Sequence, residues 1–157
     1  MKIPATVNPP SRILMGPGPS DVHPSVLQAL SRPTLGHLDP AFLQIMDEIR
    51  ALLRAAFGTD NELTMPMSGT GTAGMEACVA NIVEPGDRVL VGCNGVFGPR
   101  LAEMARRQGA EVVVHEGERG RSIPADDLRK AAAGRSFKAL MVVHAETSSG
   151  ALQDMSG

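Results

Sequence analysis

The sequence predicts an α/β fold in three layers, α/β/α, with a mainly parallel sheet between two layers of helices. Beyond residue 60, strand-like and helix-like segments alternate along the chain. The strand-like segments are continuously apolar, which is typical of parallel strands buried on both faces. Glycine- and proline-containing turns such as "EPGD" separate the segments. The 157 residues are enough for one domain with a core of its own.

The N-terminal part is predicted to be irregular over residues 1–20, with the structured region over 21–157. The alternating prolines and glycines of "GPGPS" cannot form a helix. A short helix is expected in "HPSVLQALS", where a proline stands near the first turn. The longest predicted helix lies in "DPAFLQIMDEIRALLRAAFG", because its apolar residues recur at intervals of three and four. These residues would form one buried face: Phe42, Ile45, Met46, Ile49, Leu52, Leu53 and Ala56.

The alternation itself begins with a strand expected in "ELTMP", residues 62–66, and a helix expected from Gly71 to Val83. Three further strands are expected, in "RVLVGC", "AEVVVHE" and "KALMVVHAE", and helices in "VFGPRLAEMARRQG" and "IPADDLRKAAAG" lie between them. Ligands bind at the carboxyl ends of the strands in such sheets. Three loops rich in small and hydroxyl residues follow strands here, and we expect them to form one site: Met67–Thr72, Asn94–Phe97 and Ala145–Gly150.

The loop "SGTGTAG" is suited to binding an anion. It opens a predicted helix, whose first N–H groups are free and carry the positive end of the helix dipole. Ser68, Thr70 and Thr72 add hydroxyl groups, so the predicted ligand is a phosphate. One alternative is a plain strand-to-helix turn, although a single glycine would suffice for that.

A second alternative is a Rossmann-type nucleotide-binding module, because Gly69, Gly71 and Gly74 match G-x-G-x-x-G. Two features disfavour it. The next predicted strand ends in Cys93 and Asn94 rather than in the acidic residue that would bind a ribose. More than sixty residues also precede the loop, whereas a Rossmann domain usually begins with the strand before it.

Composition and charge exclude several other classes. A net charge of −2 and the absence of a basic run argue against nucleic-acid binding. No apolar run approaches the ~20 residues of a membrane span, and the N-terminus is not a signal peptide. Cys78 and Cys93 are not spaced as a metal motif, and we expect two buried, reduced thiols. The expectation is a cytoplasmic protein without a metal site.

Seven motifs along the chain resemble those of the class V, fold-type I aminotransferases, which use pyridoxal 5′-phosphate (PLP). In order they are "GPGPS", "GH", "LQIMDEI", "SGTGTAGMEA", "EPGD", "NGVFG" and "HAETSSG". The resemblance covers the chain from Ile13 onward and points to the alanine–glyoxylate and serine–glyoxylate (serine–pyruvate) branch. It implies a homodimeric transaminase that moves an amino group from alanine or serine to the 2-oxo acids glyoxylate or pyruvate. Relatives acting on ureidoglycine or aminoethylphosphonate remain alternatives.

The resemblance also implies the contacts to the cofactor phosphate. Thr70, Gly71 and Thr72 correspond to the family's phosphate-binding residues. Ser68 and Gly69 would shape the approach to them.

Two further residues would contact the cofactor ring. Phe97 stands where the family has an aromatic residue, commonly tryptophan, that stacks on the pyridine ring. Thr147 matches a hydroxyl residue near the phenolic oxygen. Glu146 and His144 are expected to support their loop rather than to act in catalysis.

The resemblance assigns no catalytic residue in this chain. In the family, the Schiff-base lysine and the carboxylate that pairs with the pyridinium nitrogen come later in the sequence. Lys2, Lys130 and Lys138 are expected at the surface. We therefore expect an N-terminal fragment with an incomplete large domain, inactive alone; a non-catalytic binding fragment is the alternative.

Overall fold

The computed structural model describes residues 7–156, so the predictions for residues 1–6, including Lys2, and for Gly157 lie outside the described residues. The chain divides into two compact units, the first ending at Leu35 and the second beginning at Gly36. In the first unit, residues 7–23 form neither helix nor strand and lead into helix α1, Pro24–Leu30. The predicted short helix is confirmed, and the predicted domain boundary after residue 20 stays a prediction.

Helix α2, Pro40–Phe57, has the predicted limits. Asp39 Oδ1 accepts the Ala41 N–H at 2.8 Å, and Gly58 ends the helix in the left-handed conformation. The predicted buried face is wrong: no residue of α2 is buried, and the Leu52 side chain is 70% exposed. Periodicity marks an apolar face but not what covers it, and no element of the described chain packs broadly on α2.

The predicted strand at residues 62–66 is also wrong, because residues 59–70 are irregular. Arginines of α2 hold this segment. Arg54 donates to the carbonyl oxygens of Asn61 at 2.9 Å and Glu62 at 2.8 Å, and Arg50 donates to that of Glu62 at 3.2 Å. Guanidinium groups therefore satisfy backbone oxygens that a neighbouring strand would otherwise pair with.

The remaining helices and the parallel strands appear where they were expected. The helices are α3 (Gly71–Ile82), α4 (Phe97–Arg107) and α5 (Ala125–Ala132). The strands are β1 (Arg88–Cys93), β2 (Glu111–Glu116) and β3 (Ala139–Met141). They form a parallel sheet in the order β2-β1-β3, with Val89 of β1 opposite Val112 on one side and Ala139 on the other. The predicted parallel sheet is confirmed.

Strand β1 is covered on both faces. Val89 and Val91 pack in one cluster with Ala102 and Ala105 of α4. On the opposite face, Ile123 approaches Gly92 so closely that an added Cβ would lie 2.9 Å from its Cδ1. Burying one valine or leucine side chain contributes about 1.5–3 kcal/mol, so this central strand anchors the domain. Helices, sheet and helix thus form the three predicted layers.

The last predicted strand is shorter than expected, because β3 ends at Met141. Further along, β4 (Ala145–Glu146) pairs antiparallel with β5 (Ala151–Leu152). Gly150 has a φ of 78° and its N–H donates to the Glu146 carbonyl oxygen at 2.9 Å, which reverses the chain. The loop that carries Thr147 is therefore the turn of a small hairpin.

The two cysteines differ in their surroundings. Cys93 is buried, as predicted, and burial raises the pKa of its thiol to about 11. Cys78 is exposed on α3, so the prediction of two buried thiols is wrong for it. Between residues 7 and 156, none of the helices has both the length and the apolar character that a membrane crossing requires.

Candidate functional site

The three loops expected to form a site meet at one cavity of about 470 Å³. The starts of α3 and α4 and the β4–β5 hairpin line it. Five of the seven predicted cofactor contacts are among the lining residues: Thr70, Gly71, Thr72, Phe97 and Thr147. The other lining residues are Met75, Arg100, Val143 and Ala145, whereas Ser68 and Gly69 do not line the cavity.

The start of α3 offers unpaired backbone donors. Thr70 is the N-cap residue, and its hydroxyl oxygen accepts the Ala73 N–H at 3.4 Å. The first N–H to bond within the helix is that of Gly74, which donates to the Thr70 carbonyl oxygen at 3.1 Å. The N–H groups of Gly71 and Thr72 therefore have no acceptor in the helix. Together with the helix dipole, they form an anion site.

Glycines give a ligand room at these donors. An added Cβ at Gly71 would meet no protein atom within 4 Å, so the backbone there is open to close approach. At Gly69 the φ is +156°, and an added Cβ would lie 3.0 Å from that of Ala73. Gly69 is therefore needed for the path of the chain and Gly71 for access. These features fit a phosphate group.

Phe97 and Arg100 lie one helical turn apart at the start of α4. The guanidinium carbon of Arg100 is 5.0 Å from the centroid of the Phe97 ring. Arg100 Nη1 also donates a hydrogen bond to Thr72 Oγ1 at 3.1 Å, which connects α4 to α3. Arg100 was missed in the sequence. Its position three residues after a predicted ring contact was the signal that could have found it.

The carboxylate of Glu146 ties the hairpin to α4. The side chain has no exposed surface, yet it accepts hydrogen bonds from the Phe97 N–H at 2.9 Å and the Ser148 hydroxyl at 2.5 Å. It also accepts the Ser148 N–H at 3.2 Å, and the Ser148 hydroxyl oxygen accepts the Val96 N–H at 3.0 Å. Glu146 thus links Phe97 to the turn that carries Thr147.

Glu146 remains ionised despite its burial. Burial by itself raises the pKa of the carboxyl group, but the hydrogen bonds from Ser148 and from the N–H of Phe97 outweigh it. The net effect lowers the pKa below its ordinary value. An added Cβ at Gly95 would overlap the Glu146 side chain, so the loop before α4 needs a glycine there. Glu146 therefore supports its loop through hydrogen bonds from the α4 start and from Ser148.

Neither described lysine reaches the cavity. Lys130 pairs with Asp127 at 3.0 Å, and its side chain is 77% exposed. Lys138 is exposed at the opposite end of the sheet, where its N–H donates to the Arg88 carbonyl oxygen at 2.8 Å. Both lie at the surface, as predicted.

Comparison with known proteins decides the family. The sequence model of the family described as "Aminotransferase class-V" matches residues 15–157. The chain belongs to the class V aminotransferases. Members of this family depend on PLP. The predicted family and its cofactor are confirmed.

Individual relatives are similar to this chain in sequence and in backbone structure. It is 44% identical over 144 residues to an alanine–glyoxylate aminotransferase of Drosophila melanogaster, covering 92% of this chain and 36% of that protein. The crystal structure of an alanine–glyoxylate aminotransferase from Nostoc sp. superposes with a TM-score of 0.91 at 53% identity, covering 96% of this chain and 40% of that one. For a ureidoglycine–glyoxylate aminotransferase from Bacillus subtilis, the TM-score is 0.90 at 40% identity, with 95% and 38% covered.

The class V chain spans 36% to 40% of the length of these relatives. Its structural neighbours have the PLP-dependent fold type I, so the predicted fold class is confirmed for this part of the domain. The structure disfavours the nucleotide-binding alternative. Its fingerprint requires a strand before Gly69, and residues 59–70 contain none.

Proposed function

We propose that the protein carrying this chain is a PLP-dependent aminotransferase that moves an amino group from alanine or serine to glyoxylate or pyruvate. The observation that carries the proposal is the convergence of the α3 start, Phe97 and Thr147 on one cavity. Similarity to alanine–glyoxylate aminotransferases over more than nine-tenths of the chain supports the choice of substrates.

In this proposal, the α3 start holds the cofactor phosphate. The N–H groups of Gly71 and Thr72 and the hydroxyls of Thr70 and Thr72 donate hydrogen bonds to it, and the helix dipole favours its negative charge. Gly69 sets the path of the loop, and Ser68 precedes the α3 start without lining the cavity. The phosphate thereby anchors the cofactor in one position.

The other lining residues orient the cofactor ring. Phe97 stacks on one face, and the Thr147 hydroxyl bonds near the phenolic oxygen. Glu146 holds both residues at a fixed separation, because its carboxylate joins the α4 start to the hairpin. When bound, PLP supplies an electron sink that stabilises negative charge on the substrate carbon. No catalytic residue is assigned among residues 7–156.

The proposal includes a homodimer, as the resemblance implies. It also includes small amino acids and 2-oxo acids as the only partners expected besides the second subunit. The cytoplasmic location expected from the sequence stays a prediction.

The decisive experiment purifies the protein that carries this chain and measures its PLP content and its substrates. We expect about one PLP per subunit by visible absorption, and amino transfer from alanine or serine to glyoxylate. Replacing Thr72 by valine should weaken PLP binding, whereas Thr59→Val, outside the cavity, should not. Binding of a dinucleotide in place of PLP would refute the proposal. PLP binding without amino transfer would instead support the non-catalytic alternative.

A second substrate pair has its own support. The likeness to the ureidoglycine–glyoxylate aminotransferase reaches nearly the same TM-score as the likeness to the alanine–glyoxylate enzyme. Ureidoglycine therefore belongs in the donor panel beside alanine and serine, and aminoethylphosphonate completes it. The donor with the highest kcat/KM identifies the branch.

A further inference from the structure

Arg100 is the only charged residue among those that line the 470 Å³ cavity in residues 7–156. A phosphate monoester carries a charge of about −1.5 to −2 at neutral pH. The N-terminus of α3 contributes the equivalent of only about half a positive charge. The contacts predicted from the sequence are all neutral, so they leave most of this charge without a partner. Among these lining residues, positive side-chain charge comes from the guanidinium of Arg100, which reaches the α3 start through its hydrogen bond to Thr72.

The hydrogen bond from Arg100 also determines what Thr72 can do. A hydroxyl group has one proton to donate and lone pairs with which to accept. Thr72 Oγ1 accepts from Arg100 Nη1 at 3.1 Å, which leaves its proton for another acceptor. An anion beside the α3 start is such an acceptor. The bond from Arg100 therefore makes Thr72 a donor toward the ligand and polarises it.

The Phe97 ring fixes the position of the guanidinium. At 5.0 Å from the ring centroid, the cation lies within the range of a cation–π contact. A planar guanidinium can lie over a ring and donate a hydrogen bond at its edge at the same time, whereas the point charge of a lysine cannot match both geometries. One side chain thus connects the predicted ring contact to a predicted phosphate contact.

We propose that Arg100 is a positioning residue for the anionic tail of the cofactor, acting through Thr72 and held by Phe97. The inference rests on the proposed PLP function and deepens it. It adds a positively charged side chain that acts on the phosphate through its hydrogen bond to Thr72.

The test compares two ligands that differ only in the phosphate. Dissociation constants for PLP and for pyridoxal are measured on the intact protein by equilibrium dialysis with visible absorption. Arg100→Met should weaken PLP binding at least about tenfold, the size expected for losing a charge-assisted bond, and should change pyridoxal binding less than twofold. Arg100→Lys should fall between the wild type and Arg100→Met. Equal weakening for both ligands would show a merely structural role and overturn the inference.

Control variants separate this effect from a general loss of charge or folding. Arg107→Met removes the same charge at the last turn of α4, where Arg107 pairs with Glu103, and should leave both constants unchanged. In a Thr72→Val background, Arg100→Met should lose most of its effect, because the two residues act as one unit. Additive effects would contradict action through Thr72. Should Arg100→Met fail to fold, Arg100→Lys takes its place: weaker binding of PLP with unchanged binding of pyridoxal would support the inference, and equal weakening of both would overturn it.

The outcomes also separate this inference from the proposed function. A wild-type protein that binds neither PLP nor pyridoxal refutes both. A wild-type protein that binds PLP, with a ratio of PLP to pyridoxal affinity that Arg100→Met leaves unchanged, refutes only the role of Arg100.

Discussion

At the scale of single residues, Glu146 shows how a buried charge can organise two loops. Its carboxylate is fully enclosed, yet each of its oxygens accepts a hydrogen bond from the α4 start or from the hairpin turn. The N-terminal end of α4 adds the favourable field of its dipole. Ionised oxygen acceptors suit this place because all the groups facing them are donors.

Glu146→Gln is expected to destabilise the protein by about 1–3 kcal/mol near neutral pH. The new amide can present only one oxygen, so its NH2 group must face either the Phe97 N–H or the Ser148 donors. Chemical denaturation measures the loss of unfolding free energy. Glu118→Gln is the matched control, because the Glu118 side chain is 70% exposed and pairs with Arg121 at the surface. An equal loss in both variants would contradict this account.

The same carboxylate predicts a dependence of stability on pH. The pKa of Glu146 is lowered in the folded state, so its stabilising effect is complete above the ordinary carboxyl pKa of about 4.3. The effect is lost as the pH falls through the lower folded value. The difference in unfolding free energy between wild type and Glu146→Gln should therefore shrink in acid. A difference independent of pH from 3 to 7 would count against an ionised Glu146.

At the scale of elements, two glycines at helix starts have opposite purposes. Gly98 lies in the first turn of α4, and an added Cβ would come 2.8 Å from Cys93 Cα and 2.9 Å from Cys93 Sγ. It lets α4 pack directly on the end of β1. Gly71 begins α3, where an added Cβ meets nothing within 4 Å. One glycine therefore serves packing, and the other serves a ligand.

Alanine at these two positions should give contrasting results. Gly98→Ala should cost about 1–3 kcal/mol of unfolding free energy, because α4 must move away from β1. Gly71→Ala should leave stability unchanged or slightly higher, because alanine favours the helix. It should nevertheless weaken PLP binding, because Gly71 lines the cavity and a methyl group there would take up open space beside the free N–H groups. Thermal denaturation and PLP titration of both variants test the pair, and the expectation is wrong if Gly71→Ala unfolds more readily than Gly98→Ala.

Elements defined by local signals were predictable from the sequence, and elements defined by distant partners were not. The limits of α2 follow from Asp39 and Gly58, and β1 follows from a continuous apolar run. The segment 62–66 looks equally strand-like, but arginines of α2 hold its carbonyl oxygens. The end of β3 was missed for a similar reason, because Gly150 reverses the chain and pairs β4 with β5.

The same division applies to the candidate site. The helix start at Gly71 was predictable because a glycine-rich loop that opens a helix has a local signature, whereas the assignment of Thr70, Gly71 and Thr72 as phosphate contacts rests on the family resemblance and stays a prediction. The spacing of Arg100 after Phe97 was a local signal for its place beside that ring. The hydrogen bond from Arg100 to Thr72 and the network of Glu146 join residues 28 and 49 positions apart, so no local pattern reveals these contacts. Exact placement of such side chains depends on the packing of α3 against α4.

At the scale of the whole molecule, the chain leaves much apolar surface exposed in its second unit. Leu52 is 70% exposed, Phe57 78% and Leu63 84%. Within the described sheet, β2 and β3 each have one unpaired edge. Exposed apolar patches and free strand edges are typical of surfaces that associate with other protein.

The 157-residue chain on its own is therefore expected to self-associate. Size-exclusion chromatography should show concentration-dependent oligomers, and a dye that binds apolar surface should fluoresce with it. Leu52→Glu/Phe57→Glu should reduce both signals. Gln44→Glu/Ala51→Glu is the control, because it adds the same charge at exposed positions of α2 that are not large apolar residues. A sharp monomeric peak with cooperative melting in the unmodified chain would contradict the expectation.

The hydrogen bonds from Arg50 and Arg54 to the backbone of residues 61 and 62 have a consequence for sequence variation in this family. Arg50 and Arg54 grip carbonyl oxygens, which every amino acid presents, and so they do not read the side chains of the segment they hold. Substitutions at Asn61 and Glu62 should accumulate freely among homologues, provided that a guanidinium remains on this side of the helix. We therefore expect the two arginines, four positions apart on α2, to be conserved and residues 61 and 62 to vary.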